Sequence, residues 1–158
     1  MATTSAVPKT KIAGGSFLLE ERRPEEVFTP EDFTEQHQLI ANTTEEFALN
    51  EVIPNIEKIE HKDFSVTRDL LRKAGELGLS SAEIPEAYGG LEMDKVTAAV
   101  IADHIAKYAG FATTWGGHTG IGTLPIVYFG TEQQKEKYLP RLATGEIFGA
   151  YALSEASS

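Results

Sequence analysis

A chain of 158 residues with 41% hydrophobic and 24% charged side chains has the size and composition of one globular domain with its own core. Its 24 acids against 14 bases leave a formal charge of -10, which repels duplex nucleic acid; the densest basic run, Lys135, Lys137 and Arg141, reads as a solvated helix face rather than a binding stripe. The absence of cysteine excludes a disulfide framework and thiolate zinc sites, and no apolar run approaches the ~20 residues that span a bilayer.

The first twelve residues carry Lys9 and Lys11 but no arginine and no apolar signal core, so the sequence reads as cytoplasmic. Residues 1–28 read as a mobile or extended lead-in of small and polar residues. Thr29-Pro30-Glu31-Asp32 then predicts a helix start. Thr29 can cap, Pro30 at the first helical position loses no hydrogen bond, and the acids favour the positive end of the dipole. Phe33, Ile40 and Phe47 recur every seventh residue and give this long helix an apolar stripe up to Pro54. Residues 55–63 are charged and predict a turn or a short helix.

Ser65 opens a second predicted helix, with Leu70, Leu71, Ala74 and Leu77 at helical spacing and Gly78 as its left-handed stop. Ile84-Pro85-Glu86-Ala87-Tyr88-Gly89-Gly90 is a loop. The third helix, Asp94 to Tyr108, is apolar on nearly every side and is expected in the bundle interior. A fourth helical segment, Phe111 to Phe129, carries Gly116, Gly117, Gly120 and Gly122 around His118. Each interior glycine costs roughly 1 kcal/mol relative to alanine, so a close neighbour or a ligand is the expected compensation. Thr131 and Gln134 form a capping box for a fifth helix that runs to Leu142 and stops at Gly145. Ile147 to Leu153 has the residues of a strand. The expected fold is therefore all-α, a helical bundle over residues 29–145, with residues 146–158 as the first strand of a further β domain. An apolar run finishing in Ser154-Glu155-Ala156-Ser157-Ser158 further suggests the front part of a longer protein.

Little in the residues alone points to chemistry. The glycine-rich stretch has neither the spacing nor the preceding strand of a dinucleotide loop, and the lysine of a phosphate loop is missing. Two explanations of it stay open: tight helix packing, or a groove for a long apolar ligand. His118 has no carboxylate or second histidine at ligand spacing and reads as a hydrogen-bonded structural residue. His37, His61 and His104 make no metal constellation, and Trp115 reads as a core anchor. No catalytic acid, base or nucleophile stands out.

Three motifs in order carry a resemblance. Ala152-Leu153-Ser154-Glu155-Ala156-Ser157-Ser158 resembles the opening of the flavin signature of the acyl-CoA dehydrogenases. Ile84 to Leu91 is similar to that family's P-x-x-Y/L-G-G loop, and Phe129 to Pro140 to its F/Y-G-T/S-x-x-Q-K-x-x-Y-L-P segment. The resemblance implies an N-terminal helical domain, followed in the family by a middle β domain and a C-terminal helical domain. It implies FAD as cofactor, with Tyr151 and Leu153 against the flavin, Ser154 hydrogen-bonded near N5, and Glu155 as a structural acid. It also implies α,β-dehydrogenation of fatty acyl-CoA in β-oxidation, electron-transferring flavoprotein as redox partner, and a homo-oligomer. The family's catalytic base lies in the C-terminal domain, so none is expected here and the chain by itself is expected to be inactive.

The same resemblance gives Trp115, Gly117, His118, Gly120 and Ile121 to the fatty-acyl pocket. Its texture is most similar to the very-long-chain branch, with Gly117 and Gly120 keeping the pocket deep. An acyl-CoA oxidase, or a nitroalkane-oxidase-like or monooxygenase-like flavoenzyme on the same scaffold, is one alternative; a helical binding or scaffold domain is another.

Overall fold

The computed structural model describes residues 15–157, which fall into two units, one up to Thr34 and one from Glu35 onward. In the first, 3-10 turns at Ser16–Leu18, Pro24–Glu26 and Pro30–Asp32 alternate with extended residues. The predicted helix start at Thr29 is corrected. Thr29 does precede a turn, and its backbone N–H donates to the Asp32 carboxylate at 2.9 Å. The turn then ends at Phe33, whose ψ of 131° is extended, because the Asp32 carboxylate closes the turn back onto Thr29.

The second unit holds the helices. Helix α1 (Glu35–Phe47) buries His37, Ala41, Thr44 and Phe47, one face at a spacing of three to four residues. It runs into a π-helical turn, Ala48–Val52, a 3-10 turn containing Pro54, and the short α2 (Ile56–Glu60). Helix α3 (Phe64–Glu76) is capped two residues before the expected opening at Ser65. The Asp63 carboxylate, not Ser65, accepts from the Ser65 and Val66 amides. Leu70, Leu71 and Ala74 are buried as predicted, and Gly78 stops the helix with φ +77°.

Helix α4 (Lys95–Ala106) is capped by Asp94, which accepts from the Thr97 amide at 2.8 Å. It buries Thr97, Val100, Ile101 and Ile105 but leaves Ala99, Ala102, Asp103 and Ala106 exposed. The expectation of burial on nearly every side is thus corrected. Alanine counts as apolar in composition but has too little side chain to demand burial, and it favours a helix wherever it sits.

Helix α5 (Ala109–Gly116), a second π-helical turn (Gly117–Thr123) and α6 (Leu124–Phe129) form the predicted fourth segment. Both π turns end two residues before a proline, at Val52 before Pro54 and at Thr123 before Pro125. A proline lacks the N–H for the carbonyl four residues back and crowds it, and here that residue, Asn50 or Ile121, lies inside the widened turn. Proline alone is not sufficient, since Pro140 sits inside α7 (Glu132–Ala143) without such a turn. Helix α7 opens on the predicted capping box: the Thr131 hydroxyl accepts from the Gln134 amide, and the Gln134 side chain accepts from the Thr131 amide.

The larger core joins Phe47 and Val52 to Leu70, Leu71, Ile101, Ile105 and Phe111. A smaller one gathers Ile84, Leu139, Leu142 and Ala143. The expected strand at Ile147 to Leu153 is not formed. A strand exists only as a member of a ladder, and no described residue pairs with this segment.

Candidate functional site

The fourth helical segment, α4 and the connection after α3 enclose a cleft of about 240 Å³. Leu79, Ala82 and Ile84 supply one wall, Ala98 and Ile101 of α4 a second, and Trp115, Gly116, Thr119 and Gly120 the third. The lining is almost wholly apolar, and its volume falls just under the ~300 Å³ at which pockets for drug-sized ligands begin, so the space suits a slim chain. Its charged member, Glu83, is paired with the Lys95 ammonium, which also donates to the Tyr128 hydroxyl. The Glu83 carboxylate, followed by the Tyr128 hydroxyl, holds Lys95 above its ordinary pKa. The pair therefore contributes little net charge to the cleft.

The glycines separate into two kinds. A Cβ placed on Gly116, Gly117 or Gly120 meets no atom within 4 Å, whereas one on Gly122 would lie 2.4 Å from the Gly149 carbonyl carbon and 2.7 Å from its Cα. Three glycines thus keep space open, and one lets another stretch of backbone approach. Open space and close backbone approach thus occur side by side along this segment.

His118 belongs to the packing side. It is 1% exposed, its Nδ1 accepts from the Gly149 N–H at 3.1 Å, and its ring meets Phe148 edge-on at 5.8 Å. Accepting at Nδ1 places the proton of the neutral ring on Nε2, which makes no hydrogen bond of normal geometry among the described residues. Burial pushes this imidazole below its ordinary pKa, partly opposed by the Leu142 carbonyl. The turn is braced from within as well: the Thr123 hydroxyl donates to the His118 carbonyl at 2.7 Å, and the Thr119 hydroxyl to that of Trp115 at 3.0 Å.

Of the residues singled out in the sequence, the structure brings Trp115 and Gly120 to the cleft. Gly117 borders open space on the same turn, Ile121 is 58% exposed, and His118 faces residues 148 and 149. Tyr151 and Leu153 are 57% and 69% exposed, and Ser154 is exposed beside them. Two apolar side chains not used by the core, next to a hydroxyl, are a donor set that fits a planar, mostly apolar ring with a polar edge. Sequence reasoning missed the walls from Leu79 to Ile84 and from α4. The available signal was the small residues Ser80 and Ala82, which line the cleft together with Ala98.

A bundle of short helices around a mostly apolar cleft, with a glycine-rich turn as one wall, defines the class: an all-helical domain with one groove between its helices. The comparisons name the family. A model of the acyl-CoA dehydrogenase N-terminal domain matches residues 34–146, and the chain belongs to that family. It is 50% identical over 145 residues to a Bacillus subtilis protein named "Probable acyl-CoA dehydrogenase", covering 92% of this chain and 24% of the relative. The crystal structure of an acyl-CoA dehydrogenase from Bacillus anthracis, complexed with FAD, superposes with a TM-score of 0.87 at 55% identity, over 92% of this chain and 25% of that one. A mitochondrial very long-chain specific acyl-CoA dehydrogenase of Rattus norvegicus is 38% identical over 94 residues, 59% of this chain and 14% of the relative. The chain spans about a quarter or less of the length of these relatives. Among the described residues, no helix is long and apolar enough to cross a membrane.

Proposed function

We propose that the chain works as the N-terminal helical domain of a longer, FAD-dependent acyl-CoA dehydrogenase, and that its cleft takes the distal part of a long fatty acyl chain. The observation that carries this reading is the open space at Gly116 and Gly120, on the wall of an apolar cleft. A helix tolerates such glycines at a cost of roughly 1 kcal/mol each, and the space they leave is the compensation. Burying each further CH₂ of an acyl chain in that space contributes about 0.8 kcal/mol, so a deeper cleft favours longer substrates. Trp115 gives the cleft a rigid end, and Gly117 and Ile121 border the path of the chain beyond it.

In this reading Tyr151 and Leu153 would hold the flavin by apolar contact, and the Ser154 hydroxyl would donate to its polar edge. Bound FAD supplies the acceptor for the β-hydrogen as the α-proton is removed. A hydroxyl at that edge stabilises the negative charge that develops there. The base that takes the α-proton lies outside these residues, electron-transferring flavoprotein is the redox partner, and the working enzyme is a homo-oligomer.

The test uses the enzyme that carries this domain together with the remaining length its relatives have. Gly120→Phe fills the cleft, and kcat/KM for a long-chain acyl-CoA falls by about tenfold or more while that for butyryl-CoA changes less than about threefold. Gly117→Glu gives the same ordering. Equal losses for both substrates remove the chain-length reading.

A further inference from the structure

We propose that His118 is a positioning residue which, through the Gly149 amide, sets where residues 151–154 stand relative to the acyl cleft. The inference rests on the functional reading above, since it gives that register its purpose.

The geometry has three parts. First, the chain beyond α7 is seated at Ile147, Phe148 and Gly149, all partly buried, and every described residue from Ala150 onward is exposed. At Gly149, two positions before Tyr151, the body of the domain holds the segment through a buried side chain. Second, that grip is double. The Gly149 N–H donates to His118 Nδ1 at 3.1 Å, and the backbones of Gly122 and Gly149 approach so closely that a Cβ on Gly149 would lie 2.8 Å from the Gly122 carbonyl carbon. Third, His118 and Gly122 belong to the π turn that also carries Thr119, Gly120 and Thr123 on the cleft wall. One turn of backbone thus holds the wall on one side and the root of the segment on the other.

The turn is also stiff. The Thr123 hydroxyl ties the His118 carbonyl across five residues, and both side chains are about 1% exposed. A shift of the turn moves Gly149 with it, because a hydrogen bond between buried groups is costly to break without a replacement. His118 does not line the cleft, so its influence on the reaction runs through placement. A hydrogen bond that merely filled a polar requirement would not need the paired glycines, whose only evident purpose is to let Gly149 reach the ring.

Two variants separate placement from packing. His118→Phe keeps a ring against Phe148 but has no acceptor, while His118→Asn puts a carbonyl oxygen where Nδ1 stands. Hydrogen exchange of the Gly149 amide is measured in the chain itself; it accelerates at least about tenfold in His118→Phe and returns toward wild type in His118→Asn, with the Leu139 and Ile105 amides unchanged. In the longer enzyme, His118→Phe lowers kcat several-fold at unchanged KM for acyl-CoA and shifts the visible flavin band, and His118→Asn restores both. If His118→Phe does not fold, His118→Leu, close in shape to asparagine, takes its place. Unchanged Gly149 exchange, or faster exchange with wild-type kcat and flavin spectrum, overturns the proposal. A wild-type enzyme that takes up no FAD overturns the functional reading and the register's purpose with it; the exchange result still decides whether His118 holds Gly149.

Discussion

Alanine placed at Gly122 and at Gly120 is the same chemical change, two residues apart in one π turn, and the structure gives the two opposite signs. At Gly120 the new methyl meets nothing within 4 Å. Its effect is then the gain in helix propensity, about 0.5–1 kcal/mol of added stability. At Gly122 the methyl lands 2.4 Å from the carbonyl carbon of Gly149 and 2.8 Å from the Ala150 nitrogen, both backbone atoms. Ordinary contact between carbons begins near ~3.5 Å, so residues 148–150 must retreat by about 1 Å and loosen the His118 hydrogen bond as they do. Overpacking of this kind costs about 1–3 kcal/mol, from which the propensity gain subtracts. With about 2–4 °C per kcal/mol for a domain of this size, Gly120→Ala raises the melting temperature by about 1–4 °C and Gly122→Ala lowers it by up to about 10 °C. Thermal unfolding of both variants by far-ultraviolet circular dichroism is sufficient. Gly122→Ala as stable as Gly120→Ala would refute the close approach of residue 149 to the turn.

Burial depresses the His118 pKa in the folded state, so as pH falls below the ordinary value of ~6.5 the unfolded chain takes up the proton first. The stability present above that pH is lost as pH falls toward the folded value, and urea unfolding between about pH 7.5 and 5.5 shows a smaller loss for His118→Phe than for wild type; equal slopes remove the role given to His118. Asp94→Ala deletes the cap of α4 and its bonds to the Thr97 amide and hydroxyl, both at 2.8 Å. It costs about 1 kcal/mol in the same unfolding assay, and Asp94→Asn recovers most of it. On the proposed reading, the 158-residue chain by itself purifies without stoichiometric flavin absorbance, because Tyr151, Leu153 and Ser154 are exposed side chains rather than the walls of an enclosure. Co-purified FAD at one per chain would contradict this.

Where helices begin and end was legible wherever a single local interaction decides the matter. The Thr131–Gln134 box and the left-handed Gly78 needed only neighbours in sequence, and both are where the residues place them. Thr29 shows the limit of the same logic. A cap and a proline specify the first turn, but its continuation depends on what the next residues do, and Phe33 leaves the helical region. The strand at Ile147 failed for a related reason. β-Branched and aromatic residues describe a surface suited to a ladder, while the ladder itself is supplied from elsewhere. The cleft was half legible. Its glycine wall advertises itself through composition, but the opposing wall of Leu79, Ala82 and Ala98 is ordinary in sequence and acquires meaning only when α4 and the connection after α3 come together.

The glycine-rich turn sharpens what composition can tell. Four glycines in a helical segment signalled an unusual demand on the backbone without saying whether it came from a ligand or from the chain. The answer lies in position relative to the helix axis. Gly116 and Gly120, four residues apart, share the face toward the cleft, and Gly122 points to the side where residue 149 passes. His118 and Gly122, also four residues apart, share that other side and meet the same short piece of chain.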